Sequence, residues 1–289
     1  MWATGENVRM KVFISADLEG ITGTTDAQEM DPSGDGYTAA RRWMASDVNA
    51  VIAGAFDAGA TEVVVCDSHS QARNLVLDDL DPRASLIRGR LKPGRMVQGL
   101  DGSYDAAMLV GYHSRAGAGP GVLNHTWVGK ELQDLRLNGV SAGEIHLVAA
   151  IAGHHGVPVV MVSGDDVAGA EARALMPDIV TVQVKQAIDR FAARLDHPTV
   201  TAGRLREGAA VALAAAPRIA PLVIKAPVTL EIEWSSTSIA RMGALVPGVT
   251  CEPGARTTRF TGADMPAVLD VLIVLSALAS SVGQQPPYS

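Results

Sequence analysis

The side chains of this sequence that could do chemistry are carboxylates and imidazoles placed near the ends of short apolar runs. Six of them form the candidate set: Asp17, Glu19, His69, His113, His125 and Glu144. Side chains at positions i and i+2 of an extended chain point the same way, so the carboxylates of Asp17 and Glu19 are expected to converge. Burying such groups without partners is costly, and a metal ion removes that cost. The residue types therefore predict a metal site.

The ligand types also indicate which ion would bind. Two imidazoles, His69 and His113, together with three carboxylates and no thiolate suit zinc, with manganese or cobalt as alternatives. A catalytic zinc ion usually has three protein ligands and an open position, so five ligands suit two ions if one carboxylate bridges them. Asp17 is the natural bridge because its carboxylate has two oxygens. Paired ions of this kind occur in hydrolases, aminopeptidases among them.

Each candidate has an ordinary explanation when it is considered alone. An Asp-x-Glu segment is usually a turn, a cap or a solvated edge, and a histidine at a strand end is commonly a hydrogen-bonded loop residue. Glu144 alone is a favourable acid in the first turn of a helix. The joint placement of these groups after three consecutive predicted strands favours the metal site over the separate explanations.

Alternating strand-like and helix-like segments must position these side chains. The predicted strands are 11–16, 62–66, 106–111, 157–163, 179–184 and 228–232, and the predicted helices are 37–58, 143–155, 186–195, 200–215 and 264–280. This alternation predicts an α/β fold with a mostly parallel sheet flanked by helices. Ligand sites in such sheets lie at the carboxyl ends of strands, where most of the candidate residues are found.

The proline-rich stretch 217–227 predicts a boundary between two parts of the chain. Residues 1–9 are polar and form an N-terminal extension, and residues 10–216 form the metal-binding catalytic α/β domain. Residues 217–289 form a smaller C-terminal α/β subdomain that contributes to the pocket and to assembly.

Composition excludes several classes of partner. The net charge of −7 and the scattered basic residues give no reason to expect nucleic acid as a partner. No stretch reaches the ~18 uninterrupted apolar residues of a membrane span, so no membrane partner is expected. The two cysteines, Cys66 and Cys251, cannot form a disulfide framework, which favours a cytoplasmic, reducing compartment.

Five segments taken in order make the sequence similar to a known family. They are Ser15-Ala16-Asp17-Leu18-Glu19-Gly20-Ile21, Asp67-Ser68-His69-Ser70, Gly111-Tyr112-His113, Asn124-His125 and Gly143-Glu144. Together they resemble the D-aminopeptidase DppA family of zinc metallopeptidases. The resemblance runs from residue 10 to about residue 185 and continues through 245–248 to the C-terminal helix.

The resemblance implies a site, an activity and an assembly. Asp17 would bridge two zinc ions per subunit, Glu19 and His69 would complete one metal site, and His113 and Glu144 would complete the other. The substrate would be a short peptide or amino acid amide, cleaved after an N-terminal D-amino acid such as D-alanine. The family also implies a ring-shaped homodecamer whose active sites face an internal channel.

The resemblance further implies that His125 is the catalytic residue, described in the family as a nucleophile. The chemistry of imidazole offers a second role, in which His125 transfers a proton to the leaving amine or stabilises the oxyanion. We favour the second role, because two zinc ions already supply an activated nucleophile from water. Both roles remain open at the level of the sequence.

Two departures from the family pattern bear on the substrate. The loop 114–124 is slightly longer than the usual spacing between the two family histidines, and the segment 231–241 matches only loosely. The first alternative is therefore a dinuclear zinc amidase or peptidase acting on L- or β-aminoacyl amides or on a natural-product intermediate. A phosphoesterase and a non-catalytic metal-binding assembly protein are the remaining alternatives.

Overall fold

The computed structural model describes residues 9–283, which form two β-sheets with helices packed against them. In chain order the strands are β1 (Lys11–Ala16), β2 (Glu62–Asp67), β3 (Ala84–Ile87), β4 (Ala106–Val110), β5 (Leu132–Leu137), β6 (Val140–Ser141), β7 (Val159–Asp165), β8 (Val180–Asp189), β9 (Ala192–Leu195), β10 (Val228–Trp234), β11 (Thr250–Cys251) and β12 (Thr257–Gly262). The helices are α1 (Tyr37–Asp57), α2 (Glu144–His154), α3 (Asp166–Leu175), α4 (Pro198–Ala215), α5 (Thr237–Gly243) and α6 (Met265–Gly283). The predicted N-terminal extension, apart from its last residue, lies outside the described residues.

The larger sheet positions the candidate residues. Its strand order is β3-β2-β1-β4-β7-β8-β9, and every neighbouring pair is parallel except β8 and β9. Strands β4 and β7 are buried along their whole length because helices cover both faces of the sheet. Strand β1 lies between β2 and β4, so the three strands that precede Asp17, His69 and His113 are neighbours. The predicted α/β class and mostly parallel sheet are confirmed.

The smaller sheet is antiparallel and has the strand order β11-β12-β10-β5-β6. Three of its strands lie within the segment 217–289 that the sequence assigns to a subdomain. Strands β5 and β6 come instead from residues 132–141, so this sheet is not confined to the C-terminal segment. The division of the chain into domains at residue 217 stays a prediction.

Helix α6 is the most apolar helix among the described residues. By length and composition it could cross a membrane, with a mean hydropathy of 2.0 over its apolar window. It packs against α5 and the antiparallel sheet, and Val268, Leu272 and Leu275 are buried there. Core helices of soluble proteins meet the same criterion, so the feature alone does not assign α6 to a membrane.

The predicted helix at 186–195 is wrong. This segment is the second half of β8, a turn and β9, paired antiparallel with Gln186 opposite Arg194. The spacing of Ile188, Phe191 and Leu195 resembles the apolar stripe of a helix. These three side chains are 63%, 58% and 45% exposed, so no buried helical face exists there. Hydrogen bonds between the two strands, which a local pattern does not reveal, decide the structure.

Candidate metal centre

The ends of β1 and β4 are joined by backbone hydrogen bonds that fix the first pair of carboxylates. The amide of Asp17 donates to the carbonyl of Val110 over 2.8 Å, and the amide of Gly20 donates to the carbonyl of Gly111 over 2.8 Å. The chain therefore continues along β4 after β1 ends, and Asp17 and Glu19 lie beside the segment that carries His113.

The structure brings all six candidate side chains into one cluster. The carboxylate of Asp17 lies between two histidines: its Oδ1 is 3.4 Å from Nδ1 of His69, and its Oδ2 is 3.6 Å from Nε2 of His113. Glu19 Oε2 is 3.0 Å from Nδ1 of His69, and Glu144 Oε1 is 3.4 Å from Nε2 of His113. The ligand atoms of Asp17, Glu19 and His113 all lie within 4.8 Å of one another.

Each histidine has one ring nitrogen bonded to a backbone carbonyl. His69 Nε2 lies 3.1 Å from the carbonyl of Met30, and His113 Nδ1 lies 3.0 Å from the carbonyl of Ser114. A carbonyl can only accept, so these nitrogens carry the hydrogen in the neutral ring and the other nitrogen of each ring faces the carboxylates. Metal-binding histidines are oriented by this arrangement.

One buried atom in the cluster has the environment of a metal ligand. His113 Nε2 is buried and finds no hydrogen-bond partner among residues 9–283. An unpaired buried polar atom is uncommon in a folded protein and needs a physical explanation. An imidazole nitrogen aimed at Asp17 and Glu144 fits a metal ion, and the donor set of carboxylates and imidazoles fits zinc.

The pKa values of the cluster also indicate that its carboxylates need a nearby positive charge. Burial raises the pKa of Asp17 to about 7, and the carboxylate of Glu19 adds to this effect. Burial opposes the charging of His113, but the carboxylate of Glu144 raises its pKa to about 10. When no metal ion neutralises these carboxylates, protons therefore remain bound in the cluster, either on a carboxyl group or on a neighbouring imidazole.

His125 occupies a different position from the other two histidines. Its ring stacks on that of His113, with 4.0 Å between the ring centroids. Its Nδ1 lies 2.8 Å from the carbonyl of Leu123, and its Nε2 lies 3.9 Å from Glu19 and 3.8 Å from Glu144. Burial and the charge of His113 lower the pKa of His125, which favours the neutral ring. Its side chain is 20% exposed, against 1% for His113, so it faces the cavity beside the cluster.

The loop that carries His69 is fixed by Asp67. Its carboxylate accepts hydrogen bonds from the amides of Asn74 and Leu75 and from the side-chain amide of Asn74. The side chain of Asn74 also donates to the carbonyl of His69 over 2.9 Å. Asp67 therefore holds the loop of His69 in place through these amides.

Lys185 is a supporting residue that sequence reasoning did not single out. Its buried ammonium group donates to the carbonyls of Glu19, Ile21 and Thr24 over 2.6, 3.1 and 2.7 Å. Burial lowers its pKa to about 8. Lys185 is 166 residues from Glu19 in sequence. No local signal links them, because only the order of the strands brings β8 near the end of β1.

The absence of a side chain at Gly20 is a condition for this arrangement. A Cβ at Gly20 would lie 1.9 Å from the carbonyl oxygen of Tyr112.

We expect Gly20→Ala to lower the free energy of unfolding by about 1–3 kcal/mol or more, the usual cost of overpacking. Thermal unfolding measures the effect. Gly203→Ala is the control, since its Cβ would meet open space and helix α4 should become slightly more stable. An unchanged melting temperature for Gly20→Ala would contradict the close approach.

The cluster opens into a small cavity. The cavity has a volume of ≈ 210 Å³ and is lined by Asp17, Glu19, His69, His125 and Glu144, among others. A larger cavity of ≈ 670 Å³ lies between β8 and α4, but none of the six candidate residues lines it. The chemistry therefore belongs to the smaller cavity. A buried set of carboxylates and imidazoles beside such a cavity is the kind of site that metal-dependent hydrolases use.

The comparisons with known proteins agree with this class. Residues 10–274 match the protein family described as D-aminopeptidase. The chain is 38% identical over 270 residues to the D-aminopeptidase of Bacillus subtilis (strain 168), which covers 93% of this chain and 98% of the relative. This chain therefore belongs to the D-aminopeptidase family.

A solved structure of the family has the same fold. The Zn-dependent D-aminopeptidase DppA from Bacillus subtilis, described as a self-compartmentalizing protease, matches with a TM-score of 0.92 and 36% sequence identity. The match covers 97% of this chain and 100% of that structure. The family resemblance that the sequence predicts is confirmed over nearly the whole chain.

Proposed function

We propose that this chain is a zinc-dependent aminopeptidase that removes the N-terminal D-amino acid, with D-alanine as the leading candidate, from short peptides or amino acid amides. Membership of the D-aminopeptidase family makes it a metallo-aminopeptidase, a hydrolase of peptide bonds. The finer proposal is that two zinc ions bind per subunit. Asp17 would bridge them, Glu19 and His69 would complete one site, and His113 and Glu144 would complete the other.

One observation carries the proposal of two ions. The two carboxylate oxygens of Asp17 face different histidines, Oδ1 toward His69 and Oδ2 toward His113. Each histidine has its own second carboxylate, Glu19 for His69 and Glu144 for His113. The cluster thus divides into two halves that share Asp17, and this division supports one ion in each half.

The chemistry that the proposal requires is shared between the ions and the chain. Bound zinc would act as a Lewis acid toward the scissile carbonyl and toward water. His125 would transfer the proton. Its Nδ1 hydrogen is donated to the carbonyl of Leu123. Its Nε2 can therefore accept a proton and pass it to the leaving amine. Glu19 and Glu144, on either side of His125 Nε2, would hold the ring in place once it is protonated.

The assembly and the location of the protein belong to the proposal as well. A relative of similar fold is described as self-compartmentalizing, and we propose the same kind of homo-oligomer here, a ring-shaped homodecamer. The exposed apolar side chains of Ile188 and Phe191 on the β8–β9 hairpin are available for contacts between subunits. Residues 217–289 would contribute to pocket and assembly. We propose a cytoplasmic location, which the free thiols of Cys66 and Cys251 support.

Acetylation of the substrate amine tests the proposed activity. We expect the zinc-loaded protein to release D-alanine from D-alanyl-D-alanine and to leave N-acetyl-D-alanyl-D-alanine intact, because an aminopeptidase recognises the free amine. Released amino acid is measured by chromatography, with L-alanyl-D-alanine as the chirality control. Equal rates on the free and acetylated peptides would assign the chain to the general amidases instead.

A further inference from the structure

The cavity beside the metal centre has a basic side as well as an acidic one. In addition to the six-residue cluster, its lining includes Arg90, Lys92 and Arg95. All three belong to one segment, residues 88–95, which follows β3 and contains four basic residues and no acidic residue. The metal centre needs none of these cations, so their presence beside it requires a separate explanation.

The three cations have few partners within the protein. The guanidinium of Arg90 donates to the side-chain oxygen of Gln71 over 2.9 Å, and the ammonium of Lys92 donates to Cys66 Sγ and to the carbonyl of Asp67. Within residues 9–283, no carboxylate forms an ion pair with any of the three, and the guanidinium of Arg95 makes no hydrogen bond. Burial, followed by the charge of Arg90, lowers the pKa of Arg95.

Two neighbouring guanidinium groups beside a cavity are suited to an anion. Arg95 is half-buried, so its charge is partly removed from water without a compensating carboxylate from residues 9–283. A planar guanidinium binds a carboxylate through two parallel hydrogen bonds. An anion that entered the cavity would replace the lost hydration and relieve the repulsion between Arg90 and Arg95.

We infer that Arg95, assisted by Arg90 and Lys92, binds the C-terminal carboxylate of the peptide substrate, which makes the enzyme selective for very short peptides with a free C-terminus. The inference rests on the proposed aminopeptidase function. Two extended residues span roughly 7 Å, so a dipeptide with its scissile bond at the metal cluster has its carboxylate only a few ångströms away. The volume of ≈ 210 Å³ is below the roughly 300–1,000 Å³ of pockets for drug-sized ligands, which agrees with a substrate of this size.

A matched pair of substrates tests the inference. D-alanyl-D-alanine and its C-terminal amide have the same scissile bond and differ only in the terminal charge. We expect the wild-type enzyme to prefer the free acid in kcat/KM by about ten- to hundredfold, the range for one charge-assisted hydrogen bond. Arg95→Gln should abolish that preference, mainly through a higher KM for the acid.

Two further variants complete the experiment. Arg88→Gln is the matched control, because Arg88 lies in the same segment and donates to the carbonyl of Arg73 but does not line the cavity. It should keep the wild-type preference. Arg90→Gln should reduce the preference in part. The bound zinc content reports whether each variant has folded.

The outcomes separate the inference from the proposed function. Equal kcat/KM values for the acid and the amide in the wild type would overturn the carboxylate site while leaving the aminopeptidase intact. The same conclusion would follow if Arg95→Gln lost activity on both substrates to the same extent. No cleavage of either substrate by the zinc-loaded protein would count against the proposed function itself.

Discussion

Replacing Asp17 with asparagine is expected to remove zinc from both halves of the metal centre and to abolish hydrolysis. The wild-type chain should bind close to two zinc ions, and the variant should bind fewer than one. Asparagine keeps the shape of the side chain but removes the negative charge and one of the two carboxylate oxygens. Loss of an outer-shell partner already costs about 10–100-fold in metal affinity or activity, so loss of a shared direct ligand should exceed that.

Metal analysis and activity measured on the same samples check this expectation. Asp47→Asn is a suitable control, because Asp47 is also buried and burial raises its pKa to about 7, but it does not belong to the cluster. Its carboxylate accepts a hydrogen bond from the amide of Thr22, which the carbonyl of asparagine can also accept. The control should keep both ions. If Asp17→Asn lost only one ion and kept the other tightly, Asp17 would be a terminal ligand rather than the bridge.

Replacing His125 with alanine is expected to lower kcat while leaving two zinc ions bound. General acid–base assistance is typically worth ~10²–10⁴-fold, and a loss in this range fits a residue that transfers a proton. The reason lies in the geometry: Nε2 of His125 is 3.8–3.9 Å from Glu19 and Glu144 and its ring faces the cavity, whereas the other two histidines are nearer to their carboxylates. The comparison variant is His113→Ala, in which zinc content and activity should fall together.

Several results would change the role of His125. The ligand atoms of His113, His125 and Glu144 lie within 4.8 Å of one another, so loss of zinc from His125→Ala would make His125 a ligand. Complete loss of activity, together with an acyl-imidazole trapped in the wild-type enzyme, would favour nucleophilic attack. Wild-type activity in His125→Ala would exclude both catalytic roles.

Much of the fold and of the candidate site could be predicted from local sequence. Continuous apolar runs such as 62–66 and 106–111 are recognisable because a strand covered on both faces has no polar side. Helix α1 agrees with its prediction to within one residue, since the alternation of buried and exposed positions runs through 21 residues. Five of the six candidate residues were identifiable because each follows or opens a regular element, whereas His125 lies in a loop and its role was implied by the family resemblance. Their convergence follows from the rule that ligands gather at the carboxyl ends of parallel strands.

Other features depend on contacts between distant parts of the chain. The β8–β9 hairpin has the apolar spacing of a helix, and only its pairing shows that the segment is extended. Lys185 reaches the carbonyl of Glu19 because β7 and β8 extend the sheet on one side of β1 and β4.

Local sequence could not predict the basic side of the cavity either, because an isolated run of arginines and lysines usually forms a solvated surface. The sequence by itself thus predicted the candidate residues of the metal centre, since residue type and strand ends are local properties. Only the tertiary structure decided which residues support and surround the site, since strand order and loop packing are set by contacts between segments far apart in the chain.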